Sequence, residues 1–161
     1  MFDDFWVELV RRNPDKLLAV RDAATLRWHF AGALREGHVW ILTATKNGLL
    51  HAYCILKRQD HPSSGLIRMR LVDYQSLESD RDSLPGFLRE AERRCASEGI
   101  HVLEHLGGDL PKTAGIDRHA PYRRKLQAWP FYYKAADPTL EIALQKPEVW
   151  DPSAFDGDTS L

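Results

Sequence analysis

Two histidines and a glutamate lie close together in the chain, at a spacing that some zinc enzymes use. The segment from His101 to His105 reads H-V-L-E-H, with Glu104 between the histidines. Zinc enzymes use this string on a helix, where histidines four residues apart share one face and one metal ion. Here the segment follows a helix-ending Gly99 and is typical of a strand, in which such positions are ~13 Å apart. We therefore expect no metal, and expect the histidines to bond polar groups at a strand edge.

An acidic stretch is the second chemically marked feature, and it falls in a predicted strand-helix-strand unit over residues 66–106. In such units a phosphate-bearing cofactor binds where the first strand turns into the helix, because free N–H groups and the helix dipole point there. The predicted turn, from Asp73 to Ser83, has four acidic residues, one arginine and no glycine. Its charge has the sign that repels a phosphate.

The sequence carries no other standard catalytic motif. It has no G-x-S-x-G elbow, no phosphate-binding G-x-x-x-x-G-K-[ST] loop and no cysteine pair with metal spacing. Cys54 and Cys95 fall in a predicted strand and on the apolar face of a predicted helix, so we expect buried free thiols. The basic residues that cluster are Arg118, His119, Arg123, Arg124 and Lys125, a pattern typical of a solvated face that can also meet a phosphate or an acidic partner.

The overall composition indicates a folded protein with balanced charge. The chain has 161 residues, 22 basic and 23 acidic side chains, and a formal net charge of −1. This balance predicts neither nucleic-acid nor membrane binding. No apolar stretch approaches ~20 residues and no targeting segment is recognisable, so we expect a cytoplasmic protein. We expect a single domain over residues 1–161, with an extended tail over residues 147–161 packed on the body.

Caps and apolar spacing predict the elements that must position these residues. Helices are predicted from Asp3 to Asn13, from Asp22 to Gly37, from Ser83 to Gly99, and from Asp137 onward. Strands are predicted over residues 38–45, 49–58, 66–72, 100–106 and 131–135. The first two strands flank Asn47-Gly48 and should form a hairpin, and the fourth should lie parallel to the third.

The order of these elements resembles that of the GNAT acyltransferase superfamily. Three segments carry the resemblance in their residues: R-D-A-A-T-L-R-W-H-F over 21–30, F-Y-Y-K-A over 131–135 and F-D-G-D over 155–158. They are similar to the C-terminal lobe of bacterial GNAT-like and FemAB-like acyltransferases. The resemblance implies an α+β fold, a GNAT-like mixed sheet in which an antiparallel hairpin and strands precede a βαβ unit, with helices on both faces. Residues 16–20 are the candidates for the first strand of that fold.

The resemblance also implies a cofactor, acetyl-CoA or another acyl-CoA. In the superfamily its diphosphate binds a Q/R-x-x-G-x-G/A turn, and Gln75 matches the first position, whereas S-L-E-S follows it here. The cofactor-binding residues implied by this alignment are Val72, Tyr74, Gln75 and Ser83.

An amine acceptor requires a general base, and the departing thiolate requires a proton donor. By the same resemblance the catalytic candidates are Asp73, Glu104 and Tyr122. Each has a structural alternative: Asp73 caps the turn at a strand end, Glu104 pairs with Arg68 or Arg70 on the neighbouring strand, and Tyr122 packs or makes a structural hydrogen bond.

Two functions remain open from the sequence. The first is an acyl-CoA-dependent N-acyltransferase acting on a small-molecule or peptide amine. The second is a degenerate, non-catalytic GNAT-like lobe that serves substrate recognition or dimer assembly. An exposed sheet edge would be expected to pair, which predicts a homodimer.

Overall fold

A four-stranded mixed sheet forms the centre of the computed structural model, which describes residues 1–78, 83–106, 116, 119–124 and 132–157. Its strands are β1 (Val39–Lys46), β2 (Leu49–Arg58), β3 (Arg68–Ser76) and β4 (Val102–His105), in the order β1-β2-β3-β4. The first three are antiparallel neighbours, and β4 runs parallel to β3. The predicted α+β class and mixed sheet are therefore confirmed.

The hairpin between β1 and β2 forms at the predicted dipeptide. Asn47 and Gly48 have φ values of 54° and 77°, the left-handed conformation that a two-residue hairpin turn requires. Register then runs from Lys46 paired with Leu49 to Val39 paired with Lys57.

Five α-helices accompany the sheet in the described residues. They are α1 (Phe2–Arg12), α2 (Ala23–His29), α3 (Ala31–Arg35), α4 (Ser83–Glu98) and α5 (Pro138–Leu144). Asp22 caps α2 as predicted, because its Oδ1 accepts a hydrogen bond of 2.7 Å from the Thr25 N–H. Asp137 caps α5 in the same way, through the Thr139 N–H at 2.7 Å.

The predicted helix over residues 22–37 is broken into α2 and α3. The break is at Phe30, whose φ of −100° and ψ of 10° leave helical geometry. Phe30 is fully buried, and its ring lies 6.0 Å from that of Phe155. The sequence shows the apolar period of both halves, whereas the bend at Phe30 coincides with a contact to a residue 125 positions away, which no local pattern indicates.

Apolar layers cover both faces of the sheet. The layer on the α4 side contains Trp40, Cys54, Leu56, Met69, Leu71, Tyr74, Leu84, Phe87, Leu88, Ala91 and Cys95. The layer on the other face joins α1, α2 and the tail to the sheet through Phe5, Leu9, Leu26, Phe30, Val39, Tyr53, Ile55, Val72 and Phe155. Cys54 and Cys95 are buried free thiols, as predicted.

Strand β3 is longer than predicted, and this changes the position of the acidic stretch. Pairing with β2 continues through Ile55 opposite Asp73 to Ala52 opposite Ser76. Asp73, placed at a turn by its polarity, therefore lies inside the strand and does not cap a turn. The connection to α4 begins only after Ser76, and its residues 79–82 lie outside the described part of the chain.

Two predicted strands are absent from the sheet. Residues 132–135 form no strand, and residue 131 lies outside the described residues. Instead, the Tyr133 ring packs 5.8 Å from that of Trp150. Residues 16–20 contribute one isolated bridge, in which the Leu17 N–H donates to the Val149 carbonyl at 2.7 Å, beside the tail. Within the described residues, no helix is long and apolar enough to cross a membrane.

Candidate functional site

Strand β4 pairs with the first half of β3. They pair from Arg68 opposite Val102 to Leu71 opposite His105, where β4 ends. Strand β3 continues to Ser76, after an irregularity that leaves Val72 without an opposite residue on β2. Such a bulge bends a strand and increases its twist. Within the described residues, β3 beyond Leu71 therefore has no partner from β4.

A buried ion pair lies on β3 just beyond the bulge. The Arg21 Nε donates to Asp73 Oδ2 at 2.8 Å, and the two side chains are 1% and 0% exposed. The Tyr53 hydroxyl donates to the same oxygen, also at 2.8 Å. Asp73 is thus held as a carboxylate between a guanidinium and a phenol, within the layer that contains α1 and α2.

Arg21 also binds the C-terminal segment. Its Nη2 donates to Asp156 Oδ2 and to Ser153 Oγ, both at 3.1 Å, and its Nη1 donates to the Ala19 carbonyl at 2.8 Å. The guanidinium carbon lies 5.0 Å from the centroid of the Phe155 ring. Through these hydrogen bonds, Arg21 links the C-terminal tail to Asp73 in β3.

Burial and charge shift the pKa values of this cluster. Burial, and then the Asp73 charge, raise the pKa of Tyr53 well above its usual value. Burial lowers the pKa of Arg21, but Asp73 and Asp156 more than offset this, so its net pKa is raised. Burial, followed by Asp73, also raises the pKa of Cys54. Neutral Tyr53, neutral Cys54 and a charged Arg21 are accordingly the stable forms.

The predicted cofactor residues follow one another along β3 but face opposite sides. Val72 and Gln75 lie on the side of α1 and the tail, where the Gln75 Nε2 donates to Asp151 Oδ2 at 3.0 Å. Tyr74 lies on the α4 side, with its ring 6.2 Å from that of Phe87. Ser83 is the first residue of α4. Contact of these residues with a cofactor stays a prediction.

Glu104 pairs with the arginines of β3, which was the predicted alternative to a catalytic role. Its Oε1 accepts from Arg70 Nε at 2.9 Å and from Arg70 Nη2 at 2.8 Å. The Arg68 Nη1 lies 3.4 Å from the same oxygen. These guanidinium contacts all converge on one of the two carboxylate oxygens.

Tyr122 lies apart from the buried cluster. Its side chain is 91% exposed, so the structural alternative of aromatic packing is wrong for it. Asp73 is buried and Tyr122 is exposed, so the structure does not bring these two catalytic candidates into one enclosed site.

The segment that matches a zinc motif is a strand, as predicted. The His101 Nδ1 accepts a hydrogen bond of 3.0 Å from the Ile67 N–H, which is a strand-edge contact. Among the described residues, no cluster of histidine, cysteine and acidic side chains is arranged to hold a metal ion. Of the basic cluster, Arg118 and Lys125 lie outside the described residues.

Sequence reasoning did not identify Arg21 and Tyr53 as partners of Asp73, or Asp156 as a partner of Arg21. Arg21 and Asp73 are 52 residues apart, and Arg21 and Asp156 are 135 apart. No spacing rule joins such positions, although Arg21 and Asp156 both fall in segments that carry the GNAT resemblance.

No family profile matches the sequence, and no curated protein is similar to it in sequence. Solved structures do share its fold. A predicted acetyltransferase with acetyl-CoA from Clostridium acetobutylicum has a TM-score of 0.59 at 12% identity, over 81% of this chain and 89% of that one. The ribosomal-protein-alanine N-acetyltransferase of Brucella melitensis has a TM-score of 0.57 at 12% identity, over 82% and 92%.

An aminoglycoside acetyltransferase from an uncultured soil metagenomic sample, in complex with trehalose, has a TM-score of 0.56 at 13% identity. It is matched over 83% of this chain and 90% of its own. At these identities the likeness concerns the fold. Together with the mixed sheet in which β4 runs parallel to β3, it shows that the chain has the GNAT fold.

Proposed function

We propose that the chain is an acyl-CoA-dependent N-acyltransferase that transfers an acyl group from acetyl-CoA or another acyl-CoA to an amine acceptor. The observation that carries this proposal is a GNAT-like sheet in which the parallel pairing of β3 with β4 ends at Leu71, while β3 continues to Ser76. Ligands of sheets with parallel strands bind outside the carboxyl ends of the strands, where neighbours diverge. One structural neighbour is described with acetyl-CoA, and another is named as an N-acetyltransferase of alanine in ribosomal proteins.

The acidic residues between Asp73 and Ser83 that the structure describes are less unfavourable for an anionic cofactor than the sequence alone indicates. Of the four acidic residues between positions 73 and 83, two lie in the described residues, and both have basic partners. Asp73 is paired with Arg21. Glu78 is paired with Lys46 at 3.1 Å, with His51 Nε2 at 3.4 Å, and the Lys46 hydrogen bond lowers the pKa of Glu78. The other two acidic residues, Asp80 and Asp82, lie outside the described residues.

The bound acyl-CoA would supply an activated thioester carbonyl, and the side chains would handle the protons. Asp73 is unsuited to be the base because it is fully buried against Arg21. Glu104 is 21% exposed, and its guanidinium contacts use Oε1, so Oε2 would accept the proton of the attacking amine. Tyr122, which is exposed, would donate its hydroxyl proton to the departing thiolate. Val72, Tyr74, Gln75 and Ser83 would line the cofactor.

Calorimetric titration with CoA and with acetyl-CoA tests cofactor binding. We expect a dissociation constant in the micromolar range. The Asp80→Asn, Asp82→Asn variant should bind at least threefold more tightly at low salt, because two charges that repel the diphosphate are removed. The matched control is Glu90→Gln, Glu92→Gln, which removes two charges from α4 and should leave affinity unchanged.

An acceptor screen with detection of the acylated product by mass spectrometry tests the chemistry. The Glu104→Gln and Tyr122→Phe variants should each lower kcat about 100-fold while leaving the affinity for acetyl-CoA unchanged. Full activity in both variants would remove these residues from the mechanism.

The second candidate is the non-catalytic lobe for substrate recognition or dimer assembly. It is favoured by a specific observation, namely that Asp73 and Gln75 are held by Arg21 and by Asp151 of the tail. Absence of heat with both nucleotides, in the native chain and in the Asp80→Asn, Asp82→Asn variant, would make this second function the better account.

A further inference from the structure

Strand β1 forms one edge of the sheet. In the described residues β1 pairs with β2 alone, and the sheet ends there. The other terminal strand, β4, spans only Val102–His105, whereas β1 spans Val39–Lys46. Both terminal strands lack a second neighbour in this part of the chain, and β1 is the longer of these two edges.

The hydrogen bonds to β2 determine which groups of β1 point outward. The Arg58 N–H donates to the His38 carbonyl at 2.7 Å, at the point where the register continues from Val39 opposite Lys57. In an antiparallel pair, residues that bond across the ladder alternate with residues whose N–H and C=O groups point away from it. Position 38 bonds to β2, so positions 39, 41, 43 and 45 direct their backbone groups outward.

This edge lacks most of the features by which proteins prevent edge pairing, although the register with β2 shifts once, between Ala44 and Thr45, where the extra residue His51 lies on β2. Such features are charged side chains, prolines, bulges that twist the edge away, and short length. From Val39 to Thr45 every residue of β1 is uncharged and none is proline, and Lys46 comes only at the end. Ile41, Thr43 and Thr45 are exposed on the same face.

We propose that β1 binds β1 of a second copy of this chain, antiparallel, about a two-fold axis at Leu42. This register places Val39 opposite Thr45 and Ile41 opposite Thr43, so all four outward positions bond across the axis. It places Lys46 opposite His38 of the other copy, and therefore brings no two lysines together. A copy of the same uncharged strand fits this edge without a like-charge contact, and a two-fold axis closes the assembly at two chains.

The proposed pairing does not depend on acyl transfer. Binding of CoA can fail while the dimer forms, and the reverse is equally observable. The two proposals are therefore tested by separate measurements on the same 161-residue chain.

Sedimentation equilibrium on the native chain is the first test. The mass should rise with concentration from 18.5 kDa toward twice that value. Thr43→Pro should weaken the dimer at least tenfold, because it removes an outward N–H and leaves the bonds to β2 in place. Thr43→Val is the matched control and should behave as the native chain does. A chain that stays monomeric at all concentrations, or a dimer that Thr43→Pro leaves unchanged, would overturn the proposal.

Charge exchange tests the self-complementary pairing. Ile41→Lys, Thr43→Lys and Ile41→Glu, Thr43→Glu should each be monomeric, because the paired positions then carry like charges. An equimolar mixture of the two variants should form a heterodimer that weakens as salt is added. A mixture that remains monomeric would contradict the pairing of these positions.

Disulfide formation tests the register. At the axis, Leu42 would face Leu42 of the other copy at a non-hydrogen-bonded position, where Cα atoms are about 4.5 Å apart. That separation lies within the disulfide range of about 4.4–6.8 Å. Leu42→Cys should cross-link on oxidation and Thr43→Cys should not, while the native Cys54 and Cys95 are buried. Cross-linking of Thr43→Cys in place of Leu42→Cys would overturn the stated register.

Discussion

Removal of the Arg21 guanidinium is the sharpest test of the buried ion pair. The Arg21→Met substitution keeps much of the side-chain length but leaves the Asp73 carboxylate, which is fully buried, without its cation. Breaking a buried pair by deleting one partner costs about 3–5 kcal/mol. Since the stability of a domain is about 5–15 kcal/mol, this change is a large share of the total.

Urea denaturation followed by tryptophan fluorescence measures the loss. With a denaturant slope of about 2 kcal/mol per molar urea, the midpoint should fall by about 1.5–2.5 M. The exposed pair of Arg93 with Glu90 supplies the control, because Arg93→Met should leave the midpoint unchanged.

A double-mutant cycle separates the ion pair from the packing of each side chain. Asp73→Asn alone should also destabilise the fold, because it leaves the Arg21 charge buried with one carboxylate fewer. The variant that carries both Arg21→Met and Asp73→Asn should be more stable than the sum of the two losses predicts. Single losses below about 1 kcal/mol, or losses that simply add, would refute the reasoning.

Three further predictions concern the same region. The pKa of Tyr53 is raised in the folded chain, so the contribution of Tyr53 to stability is present below pH about 10 and is lost as the pH rises above that value. Tyr53→Phe should therefore lower the free energy of unfolding at pH 7 by about 2 kcal/mol and should reduce the alkaline loss of stability. Urea denaturation at pH 7 and at pH 11 measures both effects. Cys54 and Cys95 should not react with a thiol reagent in the folded chain, and both should react in urea; a fast reaction of either in the native state would contradict its burial. Phe155→Ala should destabilise the fold by about 3–5 kcal/mol and should expose the tail to limited proteolysis before the sheet, because the ring packs on Phe30 and Arg21.

Turn residues, capping residues and apolar spacing correctly predicted the elements whose conformation depends on residues nearby in the sequence. Asn47-Gly48 gives the hairpin because both residues tolerate positive φ, and Asp22 gives the start of α2 because its carboxylate reaches the Thr25 N–H. Helix α4 agrees with its apolar spacing, and its length then requires the next strand to be parallel.

The sequence-based predictions of local structure were wrong where residues far away in the sequence determine the local conformation. Asp73 indicated a turn because an aspartate in a strand interior is unfavourable, and Arg21 and Tyr53 remove that penalty. Residues 132–135 have the aromatic content of a strand, but no neighbouring strand is present to pair with them in the described residues. The pairing of Glu104 was predictable, since it needs only the adjacent strand.

The hydrogen bonds from Arg21 to Ser153 and Asp156 have a consequence for the order of folding. The contact closes a loop of 135 residues, and contacts of such sequence separation form late because the loop entropy must be overcome first. During synthesis, the residues of the sheet around Asp73 are made before residues 153–156. Until residues 153–156 are available, Arg21 lacks its contacts with Ser153 and Asp156, so the sheet should reach its native stability only after this segment binds Arg21.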